Sequence, residues 1–370
     1  MKRTKLTLIA GATTVLLGLA GCSTTGAEGN NSSAAEKVTI GISPFQDTYL
    51  PYIGQVKGWF KSAGLDVQLK SLAWNSVMTA VASGSVDMAV NNTTGVVSAA
   101  NANPDVIYAY GWNPFTEGTA LMIRPDGPLK TLDELKKNQS KAEAEKSVIE
   151  QLKGRTVVTT EGTDMGKALS IALSRNHIPE SDVKVVDMDT DAGLAAFLSG
   201  TGDAYIGGIP ERAKALSEGM KVGVAGPALA PPAINGIVTT KGYLAKNEKS
   251  VLKVINVMHR IIRYCDAKTD QCGTTITDQL NKTTAAGLTL DGFKQYWQKI
   301  ELYAGDAKAA KQMILDPTGV AYWKTSWDSD NSYLVGTKAI PAAVPASSNF
   351  DMQRVWTAYV KEYGETEKGY

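Results

Sequence analysis

The sequence predicts an α/β fold: two lobes of matched build joined by two crossing segments. Three observations carry this reading. The stretch "SGSVDMAV" (Ser83 to Val90) returns as "SGTGDAYI" (Ser199 to Ile206), with Ser83 and Ser199, Gly84 and Gly200, and Asp87 and Asp203 each 116 residues apart. Strand-like and helix-like patterns alternate in the same order around both copies, and such alternation implies parallel sheets with right-handed crossovers. After each unit comes an apolar, extended, Gly-bounded segment: "GTALMIRPDGPL" (Gly118 to Leu129) and "NGIVTTKGYL" (Asn235 to Leu244).

In the first unit, "VTIGI" (Val38 to Ile42) is β-branched and reads as a buried strand. A helix over Leu50 to Ala63 follows, with Ile53, Val56, Trp59 and Phe60 near helical spacing. "GLDVQLKSL" is a turn and second strand; "WNSVMTAVAS" is a helix that Asn75 or Ser76 can cap; Gly84 ends it. "VDMAV" is a third strand. In the second unit the order recurs. "TVVTT" is a strand, and "GTDMGKALSIALSRN" is a helix capped by Thr163 or Asp164. "DVKVVDM" is a strand, "TDAGLAAFLS" a helix and "DAYIGG" a strand. The charged stretch Lys136 to Glu150 reads as a solvated surface helix. The expected organisation is 38–123 plus 236–370 as lobe 1 with C-terminal helices, and 124–235 as lobe 2. Three tail helices are expected, one of them capped by Thr289. The Pro/Gly-rich stretch from Asp316 to Ser348 reads as a covering loop.

The first residues, MKRTK and then LTLIAGATTVLLGLAG, form a basic n-region, a short apolar run and a small-residue cleavage zone, which is an export signal. The run is too short and too rich in Gly, Ala and Thr to span a bilayer well. "LAGC" (Leu19 to Cys22) looks like a bacterial lipobox, which implies cleavage after residue 21 and a diacylglycerol on the Cys22 thiol. An ordinary secretory signal is the alternative. Loss of Lys2, Arg3 and Lys5 would take the formal charge from +1 to −2, and no clustered basic surface suggests nucleic-acid binding. Residues 22–37 contain a run without aromatic or branched aliphatic side chains and read as a flexible tether. Export favours a short-loop disulfide between Cys265 and Cys272, with two separate thiols as the alternative. A metal there is disfavoured, because the chain has 2 His and neither is near.

The lipobox, the tether, "GLDVQL", "ASGSVDMAV", "LKGRTVVTTEGT" and the helical tail together resemble the solute-binding lipoproteins of ABC importers. The group is the nitrate/sulfonate/taurine type, which also includes binders of thiamine-pyrimidine precursors. The resemblance implies a type II periplasmic-binding-protein fold, a ligand held between the lobes, no cofactor, and delivery to a membrane permease driven by an ATPase. It implies a monomer, lipid-anchored on the extracytoplasmic face of the cell membrane. The charged insertion before "LKGRTV" departs from the family pattern.

In open α/β sheets ligands bind beyond the carboxyl ends of the strands. That selects Phe45, Gln46 and Asp47, then Trp74, Asn75 and Ser76, then Asn91, Asn92 and Thr93, and Tyr110 and Trp112 from the first lobe. From the second it selects Glu161, Gly162, Thr163 and Asp164, then Asp189 to Asp191, and Gly207 to Glu211. Helix N-termini at Asn75 and Thr163 offer N–H groups to an anion such as a sulfonate. The aromatics Phe45, Trp74, Trp112 and Tyr205 could enclose an apolar or cationic part. The loops carry Asp47, Glu161, Asp164, Asp189, Asp191 and Glu211 and no Lys or Arg before Arg212, which favours a cationic or hydrogen-donating part. A taurine-like zwitterion uses both handles; a pyrimidine or amide-like solute uses aromatics and carboxylates. Each residue also has a plain structural reading. Asn75, Thr163, Asp164, Asp189 and Asp191 can be helix caps, Trp112 can pack a loop, and Asp87 and Asp203 read as turn residues. An enzyme is the alternative class: yeast proteins of this fold make the thiamine pyrimidine with a lysine-bound pyridoxal cofactor. The export signal and the absence of G-x-S-x-G, H-E-x-x-H or a phosphate loop argue against it. His177 reads as a C-terminal cap and His259 as packing.

Overall fold

The computed structural model describes residues 35–284 and 287–370. The expected leader, the lipidation site Cys22 and nearly all of the tether lie outside the described residues. The first strand, β1 (Glu36–Ile42), begins inside the last residues assigned to the tether. With β2 (Leu65–Ser71), β3 (Met88–Asn92) and β4 (Val106–Pro114) it builds the first sheet; β5 (Ala120–Ile123), β6 (Thr156–Thr159), β7 (Lys184–Asp187), β8 (Ala204–Gly207) and β9 (Lys221–Ala225) form the second. The last strand, β10 (Ile234–Thr240), returns to the first. Sheet order is β2-β1-β3-β10-β4 in one and β7-β6-β8-β5-β9 in the other. The two orders are the same pattern. In each, three strands of the local repeat run parallel, and one antiparallel strand is inserted just after the chain has crossed over.

The repeated aspartates explain the repeated motif. Thr39 N–H donates to Asp87 Oδ2 at 2.7 Å, and Thr156 N–H donates to Asp203 Oδ2 at 2.8 Å. In return the Asp87 and Asp203 N–H groups donate to the carbonyls of Thr39 and Thr156. Each carboxylate thus ties the start of the third strand of its unit to the first strand, a scaffold role and not a ligand role.

The chain crosses between sheets at residues 115–119 and 226–233, so the expected boundaries at 123/124 and 235/236 are corrected: β5 already belongs to the second sheet and Asn235 to the first. The "GTALMI" and "NGIVTT" stretches are strands, while the crossings are the short segments before them. The crossings hold each other. Phe115 N–H donates to the Ala233 carbonyl at 2.9 Å, and Gly226 N–H to the Thr119 carbonyl at 3.1 Å. Gly226 has φ +65°, and a Cβ there would lie 2.6 Å from the Thr116 carbonyl oxygen, so only glycine fits.

Other departures have local causes. The helix expected over 50–63 is broken into Pro51–Val56 and Trp59–Ser62, because Gly58 takes φ +69° between them. The helix Trp74–Ala82 begins one residue before Asn75, and no side chain caps it. Thr163 and Thr289 are caps as expected. The expected covering loop contains a 14-residue helix, Trp323–Gly336, whose buried Ser326, Asp330 and Asn331 masked its amphipathic pattern. Cys265 and Cys272 are joined, linking the end of helix Lys241–Ala267 to Thr269–Thr283. His177 closes its helix with φ 55°, and His259 is buried with Nδ1 3.2 Å from the Tyr359 hydroxyl. The first lobe has one large core, to which the tail helices contribute Trp327, Val355 and Tyr359. The second sheet is covered on one face around Leu169, Ala172 and Leu173, and on the other around Leu194 and Phe197. Among the described residues no helix is long and apolar enough to cross a membrane.

Candidate functional site

A cavity of about 580 Å³ lies where the carboxyl ends of β1, β2 and β3 face those of β6, β7 and β8. Its size suits a small organic molecule. The loop after β1 contributes Phe45, Gln46 and Asp47, the start of the next helix Trp74 and Asn75, and the end of β3 Asn92. The second lobe contributes Thr163 and Asp164, Asp189 and Asp191, and Glu211. These eleven side chains are the expected ones brought together. Phe45 and Trp74 form an edge-to-face pair with centroids 5.9 Å apart. Asn92 lines the wall while its side chain accepts the Gly95 N–H, capping helix Thr93–Ala102.

Five expected site residues lie elsewhere. Trp112 is fully buried in the first core and its carbonyl accepts the Ala304 N–H. The reason is strand length: β4 runs to Pro114, past the expected exit at Tyr110, and the tail covers it. Phe115 takes the cleft position instead. Asn91 is still within β3, with Oδ1 on the Asn92 N–H and pressed against Gly95. Ser76 is exposed in the first turn of its helix and outside the cavity wall. Glu161 and Gly162 sit on the outer part of their loop, where the Gly162 N–H donates to the Tyr333 hydroxyl at 2.9 Å. Of the aromatics considered alongside them, Tyr110 is buried in the core, and Tyr205 is buried under the floor with its hydroxyl on the Thr190 carbonyl.

Several lining residues had no sequence signal. Phe115 and Asn235 come from the two crossings' ends, and Tyr296 and Thr284 from the tail folding back over the cleft. Thr190 and Ile209 line the cavity within the expected ranges Asp189 to Asp191 and Gly207 to Glu211, and Met165 lies one residue beyond the expected Asp164. Asn235 is central. Its Nδ2 donates to Asp47 Oδ2 at 2.8 Å and to Asn113 Oδ1 at 2.9 Å, and Asn113 donates to Glu301 Oε2 at 3.1 Å. A buried polar chain therefore runs from the cavity to both crossings and the tail.

Burial dominates the electrostatics. It pushes the Asp47 carboxyl up to about 6, helped by the facing Asp164 and opposed by backbone N–H groups. Burial pushes Glu211 up to about 7, with Asp191 adding to it. Burial also raises Asp164, while the nearby Lys167 ammonium works against that rise. Lys167 is itself committed: its Nζ lies 2.6 Å from Asp330 Oδ1 and 3.3 Å from the Thr94 hydroxyl, all buried. Among the lining residues there is no Lys or Arg.

Two sheets of the same topology, crossed twice and closed around a cavity at their strand ends, define a two-lobe periplasmic-binding-protein fold. The model of the NMT1-like family matches residues 31–275, and the chain belongs to that family. The chain is similar to the putative binding protein YtlA of Bacillus subtilis (strain 168), with 26% identity over 222 residues. That match covers 57% of this chain, and the chain spans 61% of the length of that relative. In three dimensions it resembles the periplasmic aliphatic sulphonate binding protein SsuA from Escherichia coli, at TM-score 0.66 and 15% identity over 85% of this chain and 91% of that one. It also resembles the putative periplasmic sulfonate-binding protein SsuA from Methylobacillus flagellatus KT, at TM-score 0.67 and 14% identity over 91% and 98%.

Proposed function

We propose that the chain is an extracytoplasmic solute-binding component of an ABC importer. It captures a small organic solute between its lobes and delivers it to a permease and ATPase. The observation that carries this reading is the cavity of about 580 Å³ between two lobes that the chain crosses between twice by short segments. Such an arrangement couples ligand capture to hinge closure. The structural likeness to sulfonate-binding proteins and the sequence similarity to the putative binding protein of B. subtilis support the class. Anchoring through a lipid on Cys22 fits a protein that must stay near its permease. A taurine-like zwitterion would put its ammonium among the carboxylates, and a pyrimidine precursor would use the aromatics as well. The chain is proposed not to be an enzyme.

A thermal-shift screen of taurine, alkanesulfonates, nitrate, aminomethylpyrimidines and small amides tests the reading. Stabilisation by at least one solute is expected, and loss of that stabilisation in Trp74→Ala with folding intact. Turnover of a solute without stabilisation by any would sink it.

A further inference from the structure

The wall chemistry narrows the ligand further, on the premise that this cavity captures a solute. Five carboxyl side chains line it: Asp47 from the first lobe and Asp164, Asp189, Asp191 and Glu211 from the second. They come from both sides, and the charge of Asp164 acts on Asp47 across the cavity while that of Asp191 acts on Glu211. No Lys or Arg lines the wall, although the Lys167 ammonium behind it offsets part of the charge of Asp164. Lys167 is turned into its buried pair with Asp330, and Arg212 donates to the Glu117 carbonyl.

A second, independent observation points the same way. Gln46 is 4% exposed, its side chain lines the cavity, and its Oε1 accepts no hydrogen bond. A buried acceptor without a donor is costly unless a ligand supplies one. Wall groups on both lobes therefore ask for donors and positive charge. The rest of the wall is apolar and aromatic: Phe45 and Trp74 in edge-to-face contact, with Phe115 and Tyr296 beside them. Aromatic faces bind both cations and flat apolar bodies. The cavity is also far larger than an inorganic ion needs.

We infer that the cavity selects an organic cation, a protonated amine carried on a flat or apolar body, and rejects a sulfonate carried on the same body. The ammonium lies between the carboxylates of the two lobes and the body lies against Phe45 and Trp74. Cation capture thereby bridges the lobes, since Asp47 stands on one and Asp164 and Glu211 on the other.

The test is calorimetric titration of the purified chain at pH 8 with three matched probes: 2-phenylethylamine, 2-phenylethanol and 2-phenylethanesulfonate. The amine is expected to bind at least about tenfold more tightly than either other probe. Asp47→Asn and Glu211→Gln should each cut amine affinity about tenfold and leave the alcohol unchanged. Sulfonate, taurine or nitrate binding as tightly as the amine would overturn the cation inference and leave solute capture standing. No heat from these probes, and no thermal shift from any solute of either charge, would overturn solute capture and this inference with it. The comparison of probes on the unaltered chain decides the matter even if a variant fails to fold.

Discussion

The buried pair Lys167–Asp330 gives the sharpest quantitative prediction. Lys167 stands on helix Asp164–Arg175 of the second lobe, and Asp330 on the tail helix Trp323–Gly336, which also touches the first lobe through Thr94. The ion-pair distance is 2.6 Å, and the two side chains are 1% and 0% exposed. Asp330 Oδ1 also accepts the Thr94 hydroxyl at 2.7 Å, but Oδ2 has no partner. Changing Lys167→Met leaves a buried carboxylate with one hydroxyl donor. Breaking a buried pair on one side costs about 3–5 kcal/mol, whereas replacing both partners with apolar groups is near neutral. For the roughly 330 residues described, an unfolding entropy of about 2.1 cal/mol/K per residue gives about 0.7 kcal/mol/K. Lys167→Met should therefore lower Tm by about 4–7 °C. The double variant Lys167→Met with Asp330→Leu should recover most of that loss. Calorimetric unfolding at pH 7 of the single and double variants checks it. A single-variant cost below about 1 kcal/mol, or a double variant worse than the single, would refute the reading that this pair is a charge-balanced clasp.

The matched aspartates predict matched losses: Asp87→Ala and Asp203→Ala should each cost about 1.5–3 kcal/mol in urea unfolding, because each removes a charged acceptor from a strand N–H. A large cost at one site alone would contradict their shared scaffold role. Replacing Cys265 and Cys272 by Ser opens a loop of sequence separation 7. Chain entropy puts the loss at about 2.5 kcal/mol, read as a lower denaturation midpoint; an unchanged midpoint would contradict it. The cavity acids predict the pH response of the ligand-free chain. Asp47 at about 6 and Glu211 at about 7 lie above their ordinary values of 3.8 and 4.5, so the folded state holds the extra protons. Their contribution is full below about pH 4 and is lost as pH rises through about 6 to 7. Asp164, raised as well, acts in the same direction, while buried His259, held below its ordinary value, opposes it by favouring higher pH. Thermal scans from pH 5 to 8 should show Asp47→Asn with Glu211→Gln gaining stability over the parent chain as pH rises; a pH-independent difference would overturn it.

Sequence alone determined the doubling and the strand–helix alternation shared by the two repeated units. Strand periodicity, the glycine stops and the 116-residue repeat are local signals, and local backbone preference decides them. It also placed eleven cavity residues, because the end of a strand can be read from the turn that follows it. Tertiary structure decided the rest. Trp112 looked like a cleft aromatic and became core because β4 runs on under the tail, and no local pattern reports what will cover a strand. Asn235 and Tyr296 reached the cavity from the second crossing and the tail, nearly 200 and 250 residues from Phe45. The antiparallel strands β5 and β10 are inserted into their sheets through pairings that are also remote in sequence. Charge balance too was decided by tertiary packing. The chain is nearly neutral in composition, yet the cavity wall is acidic: no Lys or Arg lines it, and Lys167 beside it is held in a pair with Asp330 that only packing could form.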